Sequence, residues 1–335
     1  MSDHLSRHRR LCVAPMMAWT DRHCRYLHRL AAPQALLFTE MIATPSLLLG
    51  PGARLLQFGP AEHPVAVQLG GSDPRSLAQA ARMAAKEGYD EINLNVGCPS
   101  PRVSTGGFGA CLMLEPALVA ECVAAMRAVV DVPVTVKCRL GVDDADSDAL
   151  LHGFVERVAA AGCMTFYVHA RKALLDGLSP AQNRSVPPLQ YHRVHELKAA
   201  FPDLEIVLNG GLTSVDAVAE QLRDLDGAMI GRAAYHDPML LTRLHARLYG
   251  DETGSAPTDA WNLAGHYLVY MEHQLQQGVH LKEMTRHMLG LFGGMRGARR
   301  FRQMLSDARA LARNDPDLVR EALETLRALS AAQVA

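Results

Sequence analysis

Neither a G-x-G-x-x-G fingerprint nor a G-x-x-x-x-G-K-[ST] phosphate loop occurs anywhere in the 335 residues. Their absence excludes the usual glycine-rich cradles for a dinucleotide or a nucleoside triphosphate. The seven cysteines, Cys12, Cys24, Cys98, Cys111, Cys122, Cys138 and Cys163, form no C-x-x-C pair and no zinc spacing, so no metal is expected. An odd cysteine count without a secretory leader pattern fits a reduced compartment, and a cytoplasmic location is expected. No apolar run approaches the ~20 residues that cross a bilayer. An excess of one sign of charge is missing too, the formal net charge being -1. No global field draws the chain to nucleic acid, and any basic surface has to be local.

What is present is an alternation. Short β-branched runs at 11–15, 36–41, 65–69, 91–96, 134–139, 165–169, 205–209 and 227–230 are separated by amphipathic runs such as 73–87, 116–130, 147–161, 190–201 and 214–222. Eight such βα units match an α/β fold of the (β/α)8 TIM-barrel class, which needs about 250 residues. The rival doubly wound sheet is disfavoured because the first strand leads into Ala14-Pro15-Met16-Met17 and not into a dinucleotide turn. The polar segment 250–257 reads as a linker. After it come helical patterns at 260–277, 281–290, 298–311 and 315–329, which predict a C-terminal all-helical bundle. The expected domains are therefore a barrel over 1–249 and a helical domain over 258–335.

In a barrel, chemistry lies at the C-terminal ends of the strands. Those ends carry Pro15-Met16-Met17, Gln68-Leu-Gly-Gly71, Asn95-Val-Gly-Cys98, Lys137-Cys-Arg139, His169-Ala-Arg171, Asn209-Gly210-Gly211 and Gly231-Arg232. Asn93 and Asn95 alternate along one strand and point to the same side. Gly97 permits a tight exit and Pro99 holds Cys98 to extended backbone, so one thiol is fixed at the mouth. The glycines after strands seven and eight suit a phosphate-bearing cofactor. Lys137 follows the buried run Val134-Thr-Val136, where an unpaired lysine is rare. A cation there would balance the negative charge that a flavin gathers near N1–C2 on reduction.

Between 282 and 313, eight basic residues (Lys282, Arg286, Arg296, Arg299, Arg300, Arg302, Arg309 and Arg313) face two acids, Glu283 and Asp307. The arginine excess favours phosphate contact. These motifs, in this order, resemble the tRNA-dihydrouridine synthases over nearly the whole chain, and the A-type subgroup in particular. The opening Ala14-Pro-Met-Met-Ala-Trp-Thr-Asp21, the signature Asn95-Val-Gly-Cys-Pro99 and the stretch His169-Ala-Arg-Lys-Ala173 carry the likeness, with Asn183-Arg-Ser-Val-Pro-Pro-Leu189. Ala18 departs from the Asp of many relatives.

The resemblance implies FMN, with Pro15, Met16 and Met17 in its loop, Gln68, Lys137 and His169 on the isoalloxazine, and Asn209, Gly210, Gly211, Gly231 and Arg232 on the phosphate. It implies Cys98 as the proton donor, with Asn95, Arg171, Arg184, Arg299 and Arg302 as tRNA contacts. Hydride from flavin N5 would reach C6 of a D-loop uridine, positions 20 and 20a, while Cys98 protonates C5; NADPH would supply the electrons. The expected partners are thus tRNA and NADPH, with no membrane and a monomeric state. The alternative is a flavin barrel acting on a free pyrimidine, like a dihydroorotate or dihydropyrimidine dehydrogenase. It leaves the basic helical region without a purpose.

Overall fold

A computed structural model describes residues 4–50, 52–250 and 259–331. Eight strands, β1 (Leu11–Val13), β2 (Leu36–Ala43), β3 (Val65–Gly70), β4 (Glu91–Val96), β5 (Val134–Arg139), β6 (Thr165–His169), β7 (Glu205–Asn209) and β8 (Gly227–Ile230), close into a barrel in sequence order. All pairs are parallel, and β1 seals against β8 through Leu11↔Ala228 and Val13↔Ile230. The strands are buried along nearly their whole length, as strands of a parallel sheet covered on both faces are. β1 is shorter than expected, because Pro15 has no N–H to extend the ladder. β2 is longer, with a register shift between Phe38 and Met41.

Three of the helices between strands start on side-chain caps. Asp73 accepts from Ser76 N–H before Pro74–Glu87, Ser147 from Leu150 before Asp148–Ala160, and Ser214 from Ala217 before Val215–Gln221. Each cap satisfies a backbone donor that the first turn leaves open. Inside the barrel, Cys12, Leu36, Phe38, Ala66, Tyr167, Val207 and Met229 form the core.

By contacts the chain divides into two compact units, one of Met1–Thr20 with Ala35–Gly231, the other of Asp21–Gln34 with Arg232 onward. The second unit is helical: Arg22–Ala31, Arg232–His236, Pro238–Tyr249, Ala260–Gln276, Leu281–Thr285, Ala298–Ser306, Ala308–Leu311 and Asp317–Ala331. Asp21 caps its first helix by accepting from His23 and Cys24 N–H, and its other oxygen accepts from His287 Nε2 at 3.0 Å. The helix expected over 298–311 is interrupted: Ser306 Oγ bonds back to Arg302 O, and Asp307 caps a new turn by accepting from Ala310 N–H. Residues 251–257 of the expected linker lie outside the described residues. Among the described residues no helix is long and apolar enough to cross a membrane.

Candidate active site at the C-terminal end of the barrel

Because the barrel is closed and parallel, every strand presents its last residues to one rim. That geometry gathers Pro15–Met17, Gln68, Asn95, Cys98, Lys137, His169, Asn209 and Gly231 from positions spread over more than 200 residues of chain. Met17 is largely exposed at 62%. Its loop is held by Thr20, whose Oγ1 accepts from Met16 N–H at 3.0 Å. Ala18 sits at φ 61, in the left-handed region that Asp or Asn tolerates better than Ala; its N–H donates to the Glu40 carboxylate.

Cys98 is partly buried, with every other cysteine except Cys111 fully buried. Asn95 Oδ1 accepts from Gly97 N–H at 3.3 Å and Cys98 N–H at 3.0 Å, and Cys98 O accepts from Ala110 N–H at 2.9 Å. The thiol thus sits on a backbone pinned from both sides. Asn95 is 7% exposed and Gln68 only 1%. Their amides meet at 2.9 Å, Asn95 Nδ2 donating to Gln68 Oε1. Each keeps one amide hydrogen for any external partner.

Lys137 Nζ donates to Asn209 Oδ1 at 2.9 Å, and Asn209 Nδ2 donates to Met229 O. No carboxylate of the described residues pairs with Lys137. Burial, reinforced by the charge of Arg139, lowers its ammonium to about 8. His169 is likewise depressed well below its ordinary value, by burial first and then by Arg139, Lys137, Arg171 and Arg184. It is a neutral imidazole at physiological pH, able to donate one N–H.

The residues present fit a flavin mononucleotide. No carboxylate of the described residues neutralises the Lys137 ammonium, and Gly231 leaves the backbone bare where a phosphate would approach. A Cβ on Gly231 would meet nothing nearer than Ala14 Cβ at 4.0 Å. Gly210 is required for a different reason: φ is +116 and a Cβ would strike His169 Cδ2 at 2.7 Å. Tyr191 OH fixes that turn by donating to Gly210 O at 2.7 Å. No group of three or more His, Cys, Asp or Glu suited to a metal occurs among the described residues.

Among the arginines, Arg171 donates to Pro187 O, while Arg184 is exposed on the same long loop. Arg232, Arg299 and Arg302 belong to the second unit, where all three are exposed. The sequence reading passed over Arg139, quoted only as a strand end. It is 3% exposed, donates to Gly97 O at 2.8 Å, Lys172 O at 3.1 Å and Asn183 O at 3.0 Å, and has no carboxylate partner among the described residues. Burial lowers it to about 10 even with Cys98 nearby raising it. A buried guanidinium held by three carbonyls staples the Cys98 loop to the loop carrying Arg171 and Arg184. An arginine ending an apolar strand is the signal that could have found it.

Fold and rim define a TIM-barrel enzyme with a partly exposed thiol at a cationic, glycine-edged mouth. The profile of the family described as dihydrouridine synthase (Dus) matches residues 12–329, and the chain belongs to that family. It is similar to the tRNA-dihydrouridine(20/20a) synthase of Xanthomonas axonopodis pv. citri, 56% identical over 94% of this chain and 93% of that one. The proteins of the same name from Vibrio cholerae (54% identical, covering 89% of this chain and 90% of that one) and Salmonella typhi (50%, covering 95% of each) are also similar. Among solved structures, a 2-naphthoyl-CoA reductase with 2-naphthoyl-CoA superposes with a TM-score of 0.56 at 13% identity. It covers 72% of this chain and 50% of that one, a likeness of fold alone.

Proposed function

We propose that this protein reduces the C5=C6 bond of uridine in the D-loop of tRNA, at positions 20 and 20a, to 5,6-dihydrouridine. The observation that carries the reading is the thiol of Cys98, held by Asn95 at the barrel mouth beside an ammonium without an anion. FMN, when bound, supplies hydride to C6 with electrons drawn from NADPH, so that one NADPH and one proton are consumed per uridine. Pro15, Met16, Met17 and Gln68 border the flavin, Lys137 offsets its charge, and His169 donates a neutral N–H. Asn209, Gly210, Gly211, Gly231 and Arg232 take the phosphate.

Cys98 gives its proton to C5, breaking S–H as C5–H forms, and recovers it from solvent. A positioned thiol can serve as a general acid. Asn95, Arg171, Arg184, Arg299 and Arg302 contact the tRNA, so that residues 1–249 carry the catalysis and 258–335 the recognition. Holding the uridine outside its stack costs about a few kcal/mol, which phosphate contacts offset. The cytoplasm, where reduced thiols and tRNA coexist, is the proposed place of action.

Mapping dihydrouridine in tRNA from a deletion strain tests this directly. Loss at positions 20 and 20a, restored by the gene, is the expected result; unchanged D-loop dihydrouridine rejects the tRNA reading in favour of a free pyrimidine. The purified protein should be yellow and bleach with NADPH. Replacing Arg299 and Arg302 together by Ala should reduce the slope of log affinity against log salt by about one to two. An unchanged slope removes these two residues from the interface.

A further inference from the structure

The barrel interior holds an unbroken chain of side-chain hydrogen bonds running from the N-terminal ends of the strands to the backbone of Cys98. Arg9 Nε and Nη2 donate to Glu91 Oε2 at 2.8 and 2.7 Å. Thr135 Oγ1 donates to Glu91 Oε1 at 2.6 Å, and Asn93 Nδ2 donates to Thr135 Oγ1 at 2.9 Å. Gln68 Nε2 donates to Asn93 Oδ1 at 2.9 Å, and Asn95 Nδ2 to Gln68 Oε1 at 2.9 Å. At the top, Asn95 Oδ1 accepts from the N–H of Gly97 and Cys98. Thr135, Asn93 and Gln68 are all 1% exposed or less.

The direction of this chain is set at both ends. Backbone N–H groups can only donate, so Asn95 must present its oxygen to them and its NH2 to Gln68. The Glu91 carboxylate, paired with Arg9, can only accept, so Thr135 must give it the hydroxyl proton and receive from Asn93. Between these fixed ends neither Gln68 nor Asn93 can turn its amide without setting donor against donor or acceptor against acceptor. Both amide orientations are therefore dictated, and with them which atom of Gln68 remains for the flavin edge.

We propose that Thr135 and Asn93 are positioning residues for the proton-transfer step. They hold Gln68 and Asn95 in one orientation, and Asn95 in turn holds the Cys98 loop. The inference rests on the reading of Cys98 as proton donor. A core that needed only to be filled would use apolar side chains, since buried polar groups are costly unless every partner is present.

Thr135→Val keeps the shape of the side chain and removes the hydroxyl that links Asn93 to Glu91, whereas Thr135→Ser keeps it. Tyr167→Phe is the control: its OH also donates to Glu91, at 2.9 Å, but lies off the chain. Hydrogen exchange of the flavin-loaded protein should show amides 97 and 98 exchanging about tenfold faster in Thr135→Val, with the rest of the barrel unchanged. Single-turnover tRNA reduction should slow about tenfold, as expected of a small misplacement, while NADPH-driven flavin reduction and the KM for tRNA hold. Thr135→Ser and Tyr167→Phe should match the unmodified protein in both readouts.

Wild-type exchange at 97 and 98 in Thr135→Val overturns the proposal, whether or not turnover slows. Equal effects from Tyr167→Phe overturn it also, by showing a general loss of packing. Should Thr135→Val fail to fold, Asn93→Ser interrupts the same chain one link higher and is read by the same exchange. Failure of the proton-donor reading is separate: it would show as full tRNA turnover by Cys98→Ala, with the exchange result standing on its own.

Discussion

The two ends of the barrel interior treat charge in opposite ways. At the N-terminal end, Arg9 is buried completely and grips two carboxylates, Glu91 at 2.7 Å and Glu205 at 2.6 Å. Thr165 donates to Glu205 Oε2, and Tyr167 and Thr135 donate to Glu91 Oε1. Burial raises the Glu205 carboxyl even with Arg9 beside it, but both carboxylates there share one cationic partner. At the C-terminal end Lys137 and Arg139 are held by an amide oxygen and by carbonyls, with no carboxylate among the described residues. A closed charge network stabilises a fold and asks for nothing further. An open one is what an anionic ligand would complete.

Substitutions at the two ends should therefore separate chemistry from stability. The largest effect is expected from Cys98→Ala at the C-terminal end. Loss of a general acid typically costs 10²–10⁴-fold, and stopped-flow measurement should place tRNA reduction in about that range while FMN content and NADPH oxidation persist. Full turnover would remove Cys98 from the mechanism. Arg9→Met at the other end should act first on stability. It leaves Glu91 buried without its partner, a loss of about 3–5 kcal/mol for a broken buried pair, measurable by urea unfolding. NADPH-driven flavin reduction per folded molecule should be unaffected; a selective loss of that step would erase the distinction between the ends.

These ends were not equally legible in the sequence. Cys98 announces itself locally, between Gly97 and Pro99 at the end of an apolar strand, and Lys137 does so by closing Val134-Thr-Val136. The barrel itself is written in buried strands punctuated by glycine and proline, which local pattern captures. Arg9 carries no such mark. Its partners lie 82 and 196 residues away, so its role exists only once the barrel closes. Arg139 is hidden for the same reason, since what it bonds is loop backbone whose path depends on the whole rim. The break at Asp307 was missed because a capping side chain outcompeted an otherwise helical periodicity. The regrouping of Asp21–Gln34 with the C-terminal helices depends on contacts more than 200 residues apart, such as Arg22 with Gln274 at 3.0 Å.

The smallest effect, and the one that compares the ends most sharply, is expected from Lys137→Met. The Lys137 ammonium is held at about 8 by burial, below the ~10.4 of an unfolded lysine. Between those values the unfolded chain binds more protons than the folded one, so this group makes the flavin-free protein more stable as pH rises from about 8 to ~10.4. At pH 7 the same group is charged in both states, and its burial costs stability. Lys137→Met should thus stabilise the flavin-free protein at pH 7 and abolish the rise above pH 8, opposite in sign to Arg9→Met. Binding should show the compensating loss. Fluorescence quenching should give an FMN affinity about tenfold weaker at pH 7, where a charge-assisted hydrogen bond worth about 1.5 kcal/mol has gone. It should also remove the fall in affinity expected as the parent amine loses its proton above about pH 8. If Lys137→Met instead destabilises the flavin-free protein and leaves FMN affinity untouched, the C-terminal end is as structural as the N-terminal one.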